Sequence, residues 1–300
     1  MRVAVTGAGG LIGSRLVGAL EARGDEVVTL SRSGDGGAIR WEPASEPAPA
    51  HTLAAVDAVV HLAGENIAQR WSAGARERIR TSRAAGTANL VAGIASAREG
   101  EDTEPQPRIL VSANAVGYYG NRGDELLSES SHPGDGWLAA VCVEWEAAAM
   151  AAAALGLRAC VLRTGVVLDR AGGALAKMLP AFQSGVGGPV AGGRQYISWI
   201  HVDDLVAFYL AAIDDERFEG PINAVAPHAM RNADFSKALG RALHRPAFAP
   251  VPRAALALLY GDMASIVTDS QNVAPARASE LGLSYAHAAL DEALRDTLSR

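Results

Sequence analysis

Cysteine is nearly absent from this chain. Of 300 residues only Cys142 and Cys160 are cysteine, and both sit among apolar neighbours without metal-ligand spacing. That excludes a disulfide-stapled scaffold and a cysteine metal centre, and it reads as the reduced interior of a cytoplasmic protein. Lysine is confined to Lys177 and Lys237, and no basic block offsets the formal net charge of −6. Nucleic acid and anionic membrane are therefore not expected partners. Long apolar runs are also missing: the longest, Ala147 to Leu155, falls well short of the roughly 20 residues that span a bilayer. No charged-then-apolar leader is expected, because the amino terminus already reads as a strand. What is present is apolar material in quantity, 49% hydrophobic against 20% charged. A chain of this size and composition suits one large α/β unit with a smaller lobe.

The first 32 residues, MRVAVTGAGGLIGSRLVGALEARGDEVVTLSR, read as strand, glycine turn, helix, second strand and arginine. Val3 and Val5 belong to a buried strand ending at Thr6. Gly7, Gly10 and Gly13 follow with the spacing G-x-x-G-x-x-G. Glycine serves such a turn in three ways: a tight bend, backbone approach to a pyrophosphate, and close packing of helix on strand. The helix from about Gly10 to Ala22 would aim its amino-terminal N–H groups at the phosphates. The second strand, Glu26 to Leu30, ends in Ser31-Arg32-Ser33. An acidic residue there would favour NAD through the ribose hydroxyls. A guanidinium between two hydroxyls suits a 2′-phosphate instead, and the expected cofactor is NADP(H).

Further along, Ser33 to Gly37 reads as a turn and Pro43 to Ala50 as a proline-rich loop. Asp57 to Leu62 is a buried strand ending in the small-residue turn Ala63-Gly64-Glu65-Asn66. A long helix spans about Ala73 to Ala97, Pro105 to Pro107 breaks the chain, and a strand follows from Arg108 to Ser112. Ala113 to Gly120 reads as a loop containing Tyr118 and Tyr119. A helix from about Gly136 to Leu155 precedes a strand, Arg158 to Arg163. Strands and helices alternating at this spacing predict parallel strands with crossover helices, hence a doubly wound sheet. After Thr164 come a glycine-dense segment, Gly185 to Gly193, and a strand over Gln195 to Val202 with Asp203 as helix cap. A short strand, Pro221 to Val225, precedes helices at Asp234–Leu243, Pro252–Leu259 and Ala288–Leu298. The expected division is a Rossmann domain over 1–165, with returning segments near 199–226, and a mainly substrate-side lobe over 166–300.

The stretches TGAGGLIG, HLAGENIAQRW, IRTSRAAGT, SANAVGYYG, LRTGVVL, GGALAKMLPAF, GRQYISWIHVDDL, GPINAVAP and ALGRALHRPAFAPVP together resemble the extended short-chain dehydrogenase/reductase superfamily. Within it, the chain is similar to the atypical branch of nucleoside-diphosphate-sugar epimerases that carry a carboxyl-terminal domain of unknown function. The resemblance covers nearly the whole chain. It implies a Rossmann fold with a smaller carboxyl-terminal lobe, NADP(H) binding and a cleft between the lobes. Homodimers through the two long helices, 73–97 and 136–155, are common in that superfamily. The expected cofactor contacts are Gly7, Gly10, Leu11, Ile12, Gly13, Ser31, Arg32, Leu62, Ala63, Gly64, Glu65, Ser112 and Val166.

The superfamily's catalytic triad is missing. Its tyrosine works beside a lysine four residues later, on one helix face. The residues four before Lys177 and Lys237 are Gly173 and Ala233, so no Y-x-x-x-K exists. Alignment through Glu146 puts Ala139 and Val143 at the two positions, and Asn114 near the serine. Three residues are candidates for the chemistry: Tyr118, Glu65 and Asn114. Tyr118 has no evident cationic neighbour, since helix between it and Arg122 is improbable beside Gly120 and Gly123. Glu65 is read as a general base or ribose ligand, or as a structural cap. Arg70-Trp71 offers a clamp for an anionic or planar group, or an arginine covering an indole. Ser112 either reaches the nicotinamide ribose or satisfies backbone, and the 185–193 loop either covers substrate or makes a hairpin. His201 and Asp203 are two donors without a third, so no metal is expected. The expectation is an NADP(H)-dependent oxidoreductase or epimerase acting on a small polar, sugar-like substrate. The rival is a cofactor-binding regulator that has lost catalysis.

Overall fold

The computed structural model describes residues 1–99 and 106–299; of the chain break expected over Pro105 to Pro107, Pro105 lies outside them. Strand β1 (Arg2–Thr6) leads through helix α1 (Leu11–Ala22) to β2 (Glu26–Ser31). Then come β3 (Ile39–Arg40), α2 (Ala50–Leu53), β4 (Ala58–His61) and α3 (Ala73–Arg98). Next are β5 (Ile109–Ala115), a 3-10 turn (Val116–Tyr119), β6 (Leu126–Leu127) and α4 (Trp137–Met150). The chain continues through β7 (Arg158–Thr164), β8 (Val166–Leu168) and α5 (Gly173–Gln183). It then forms β9 (Tyr196–Ile197), β10 (Trp199–His201), α6 (Val202–Asp214) and β11 (Gly220–Ala224). The last third holds β12 (Met230–Arg231), α7 (Asn232–Leu243), α8 (Arg253–Tyr260) and α9 (Ser265–Thr268). Strand β13 (Asn272–Val273), α10 (Ala276–Glu280) and α11 (Leu290–Ser299) complete it.

Seven strands form one sheet in the order β11-β7-β5-β4-β1-β2-β3, and every neighbouring pair is parallel. Both faces are covered, so the inner strands are largely apolar and their side chains alternate between two cores. Val3 and Val5, Ala58 and Val60, Ile109 and Val111, and Cys160 and Leu162 point to the side of α1 and α6. Ala4, Val59, Leu110, Ala159 and Val161 point to the side of α2 and α3. The order reverses between β1 and β4, which opens a crevice at their carboxyl ends. A third core, around Leu175, Phe182, Trp199, Phe235, Leu239 and Leu294, joins α5, α7 and α11.

Several expectations shift. Strand β5 runs on to Ala115, so Asn114 lies on a strand rather than in a loop. The segment near 222 returns to the main sheet as its edge strand, whereas the one near 200 pairs with β8 in a separate two-stranded sheet. The cap of α6 is His201, whose ring accepts the Asp203 N–H; Asp203 sits in the first turn. The proline-rich loop ends one residue early, because Ala50 already begins α2. Apolar helix also runs longer than the Ala147–Leu155 stretch. Trp137–Leu155 forms 19 residues of mean hydropathy 1.6, long and apolar enough to cross a membrane. Here it lies against the sheet, burying Ala139, Val141, Cys142, Trp145 and Ala149.

One buried charge pair fastens α4 to the sheet. Arg163 on β7, only 2% exposed, donates from Nε and Nη2 to the two oxygens of Glu146 at 2.8 and 2.7 Å. Burial disfavours the guanidinium, but the carboxylate overcomes this and holds it firmly protonated. Its Nη1 donates to the Tyr119 hydroxyl at 2.9 Å and the Glu129 carbonyl at 3.3 Å. Replacing Glu146 with alanine leaves that cation buried without its partner. The expected loss is about 3–5 kcal/mol in urea denaturation; a loss below about 1 kcal/mol would show that the pair is dispensable.

Candidate nucleotide-binding site

The crevice is built from backbone that side chains would block. Gly7 adopts φ 73°, and a Cβ there would meet the Ala63 nitrogen and Leu62 carbonyl carbon at 2.8 Å. A Cβ on Gly13 would collide with the Gly7 carbonyl oxygen. The Gly10 N–H closes the turn on that same oxygen at 3.0 Å. Helix α1 then starts at Leu11 with no side-chain cap, and its first N–H groups face the crevice as a ready anion site.

Across the crevice, Thr6 fixes the end of β4. Its hydroxyl lies 2.7 Å from His61 Nδ1 and accepts the N–H groups of Leu62 and Ala63, each at 3.2 Å. His61 is fully buried, and burial, reinforced by the Arg83 cation, lowers its pKa to about 4. Arg83 packs beneath Gly64 and donates to the Glu65 carbonyl at 3.0 Å, while Ser82 Oγ accepts the Glu65 N–H at 2.9 Å. The turn that carries Glu65 is thus held from below.

Two cavities line the groove. The larger, about 940 Å³, runs over Gly7–Gly10, Ser31–Ser33, Trp41, Leu62–Glu65 and the α3 face of Glu77, Arg78, Thr81 and Ser82. The smaller, about 290 Å³, is bounded by Gly10–Gly13, Leu62, Ala113, Val167 and Gly173. Of the expected cofactor contacts, Gly7, Gly10, Leu11, Ile12, Gly13, Ser31, Arg32 and Leu62 to Glu65 all line one cavity or the other. Ser112 and Val166 line neither: the Ser112 hydroxyl donates to the Ala113 carbonyl at 3.2 Å, and Val167 is the wall residue. Arg32 makes no hydrogen bond or ion pair among the described residues, whereas Ser31 Oγ accepts the Gly34 N–H at 3.0 Å. Arg78, Thr81 and Ser82 were not legible as groove residues, because a helix rich in arginine reads as a solvated face.

The candidates for chemistry are dispersed. Glu65 faces the groove, with Gln69 Nε2 at 3.0 Å and Arg78 Nε at 3.7 Å from one oxygen. Asn114 turns toward α4: its amide donates to the Cys142 carbonyl at 3.0 Å and its oxygen accepts the Ala115 N–H at 2.8 Å. Tyr118 does have a cationic neighbour. The Arg163 guanidinium lies 3.6 Å from its ring centroid, and Tyr119 meets it edge-on at 5.2 Å. Arg122 turns away to Glu125, at 2.9 and 2.6 Å. Tyr119 is interior, its hydroxyl donating to Asn223 Oδ1 at 2.7 Å, and burial pushes its pKa up to about 12. On α4, Ala139 is buried and Val143 is 37% exposed; neither carries a proton to give.

Other proposed devices resolve into packing. Trp71 meets Trp137 at a tilt with centroids 4.7 Å apart, and the arginine over the Trp137 ring is Arg76, not Arg70. The 185–193 loop is pinned to the carboxyl-terminal segment: Ala191 N–H donates to the Val251 carbonyl at 2.9 Å and Val251 N–H to the Pro189 carbonyl at 2.8 Å. Both cysteines are free and buried.

A parallel sheet of this order, with glycine backbone and a helix start at its switch point, defines a dinucleotide-binding protein of the Rossmann class. The chain belongs to the NAD dependent epimerase/dehydratase family, whose pattern matches residues 3–224. A domain of unknown function, DUF1731, matches residues 251–297. The chain is 40% identical to the chloroplastic epimerase family protein SDR39U1 homolog of Arabidopsis thaliana, over 98% of this chain and 86% of that one. Human epimerase family protein SDR39U1 (isoform 2), crystallised with NADPH, has a TM-score of 0.88 at 34% identity, with 100% of both chains covered. A nucleoside-diphosphate sugar epimerase from Corynebacterium glutamicum has a TM-score of 0.80 at 36% identity, covering 99% of this chain and 58% of that one.

The buried His61 generates a pH signature. The unfolded ring titrates near 6.5 and the folded one near 4, so the unfolded state binds the extra proton between those values. Stability is therefore full above about pH 6.5 and falls as the pH drops toward 4, by at most about 3 kcal/mol. Chemical denaturation of the wild type and His61→Gln across pH 4–7 checks this. The variant is expected to lose that part of the slope, and an unchanged slope would refute it.

Proposed function

We propose that this chain is an NADP(H)-dependent oxidoreductase or epimerase of the atypical short-chain type, acting on a small polar, nucleotide-sugar-like substrate. The observation that carries the proposal is the groove at the β1/β4 switch point. A pyrophosphate fits the cradle of Gly7, Gly10 and Gly13, where any Cβ would intrude, and the 2′-phosphate falls to Arg32 with Ser31 at the end of β2. Arg78 adds a second cation on the same wall. The NADPH in the human relative supports this choice, and the name of the Corynebacterium relative supports a nucleotide-sugar substrate. When bound, the cofactor would supply hydride chemistry; the protein's own residues position and polarise.

Proton transfer in this proposal falls to Tyr118, beside the Arg163 cation, or to Glu65 in the groove wall. Asn114 occupies the serine's place and holds β5 to α4 through the Cys142 carbonyl. The chain is taken to act in the cytoplasm, consistent with its two free, buried cysteines. A possible dimer face is the pair α3 and α4, which pack side by side.

One observation favours a second reading, a cofactor-binding regulator without turnover. The triad positions hold Ala139 and Val143, and the Asn114 amide is already committed. Fluorescence titration with NADPH and NADH tests the shared premise. NADPH is expected to bind more tightly, and Arg32→Ala to cost at least about tenfold for NADPH with little change for NADH. Equal loss for both would remove Arg32 from the 2′-phosphate site. Turnover screens with nucleotide sugars then separate the readings. Tyr118→Phe or Glu65→Gln should abolish turnover with NADPH binding intact, whereas tight NADPH binding without turnover of any substrate favours the regulator.

A further inference from the structure

The sequence spacing offers His201 and Asp203 as two donors and no third. The fold supplies more. His201 ends β10, Asp203 lies in the first turn of α6, His287 precedes α11 and Asp296 lies on it; one donor atom from each falls within 4.8 Å of the others. His287 Nε2 is 4.0 Å from Asp203 Oδ2 and 3.9 Å from Asp296 Oδ2. His201 Nε2 is 3.2 Å from that same Asp296 oxygen. The two imidazole centroids lie 3.8 Å apart, with the rings tilted by 40°. None of the four residues lines the nucleotide groove.

We propose that His287, Asp203 and Asp296 bind a divalent transition cation of the zinc type, with His201 orienting Asp296 from outside the ligand set. The roles follow from the protons. His201 Nδ1 accepts the Asp203 N–H at 3.2 Å as the cap of α6, so the ring's proton sits on Nε2, the nitrogen 3.2 Å from Asp296 Oδ2. A metal-bound carboxylate is oriented by such a donor. The ligand ring is held by backbone: buried Asp204 accepts the N–H groups of Ala286 and His287 at 2.7 and 3.1 Å. The hydroxyl of Tyr285 donates to the Val225 carbonyl at 2.9 Å.

Charge and donor chemistry agree. Two carboxylates and two imidazoles converge on one point. One nitrogen and two oxygens suit a borderline cation such as Zn²⁺ rather than Mg²⁺ or Ca²⁺, which take oxygen alone. Separations near 4 Å exceed the edge of a tetrahedron with bonds of about 2.0–2.2 Å, so the separations between donors shorten by about half an ångström when the ion binds. His201, Asp203 and Asp296 each have further contacts, so the ion binds by exchange of partners. A cavity of about 350 Å³ lies on the His201 side of the cluster, lined also by Arg15, Asp169 and Thr297. Bound there, the ion ties α6, the 285–287 segment and α11 together.

The test uses the full chain after dialysis against EDTA, with Zn²⁺ followed by calorimetry and Co²⁺ by visible absorption. One saturable Zn²⁺ site, a Co²⁺ spectrum of low coordination number and a higher Tm with Zn²⁺ are expected. His287→Gln and Asp296→Asn should each abolish saturable binding, and His201→Gln should weaken it about ten- to a hundredfold. NADPH binding should be intact in every variant, which also keeps this result separate from the fate of the proposed function. Absence of saturable Zn²⁺ binding in the wild type overturns the proposal, as does a site unchanged in His287→Gln. If Asp296→Asn fails to fold, His287→Gln, on a partly exposed segment, decides alone.

Discussion

Everything at the switch point hangs on how closely two backbones approach where β1 and β4 part. The Thr6 hydroxyl bridges them, holding His61 and the first two N–H groups beyond β4. Gly7 then passes within van der Waals reach of Leu62 and Ala63. Because no side chain intervenes, the groove floor is polar backbone, and a helix start can point into it unobstructed. The start of α5 closes on that floor: Gly172 and Gly173 lie against Leu11.

Above the floor, α4 carries the apolar Ala139 and Val143, and the positive charge sits on the sheet at Arg163. Arg163 sits where it touches both loop tyrosines, but it is locked by Glu146 and belongs to the architecture first. Its grip explains why α4 keeps its place although Ala139 and Val143 offer nothing polar on that face. The helix is positioned from beneath, by a charge pair, rather than by contacts in the cleft.

Much of this was legible in the sequence. The longer strands of the main sheet announce themselves because burial on both faces leaves apolar runs bounded by turns, and the glycine spacing places the groove; the two-residue edge strand β3 does not. The boundaries of β5 were missed because Asn114 and the small residues beside it look like loop, although Asn114 is paired along β7 and bonded to α4. Strands β6, β8, β9, β10, β12 and β13 have two or three residues each, too few to show a period. Arg163 was invisible as a core residue because arginine in a strand reads as exposed until its carboxylate partner is known. His287 and Asp296 could not be joined to His201, since only the tertiary fold brings residues so distant in sequence together.

The pairing of β6 with β13 sets a constraint on how the molecule is made. Leu126 and Leu127 wait for Asn272 and Val273, and the Ser270 N–H finds its acceptor on Asn121. A growing chain emerging from the ribosome can assemble β1 to β5 early, from neighbours close in sequence. It cannot cover the Tyr119–Leu127 region until nearly the last segment has emerged. Such long-range closure is entropically late and leaves apolar surface uncovered meanwhile. Truncations from the carboxyl end should therefore be felt first as aggregation during synthesis, even where the nucleotide-binding half is complete.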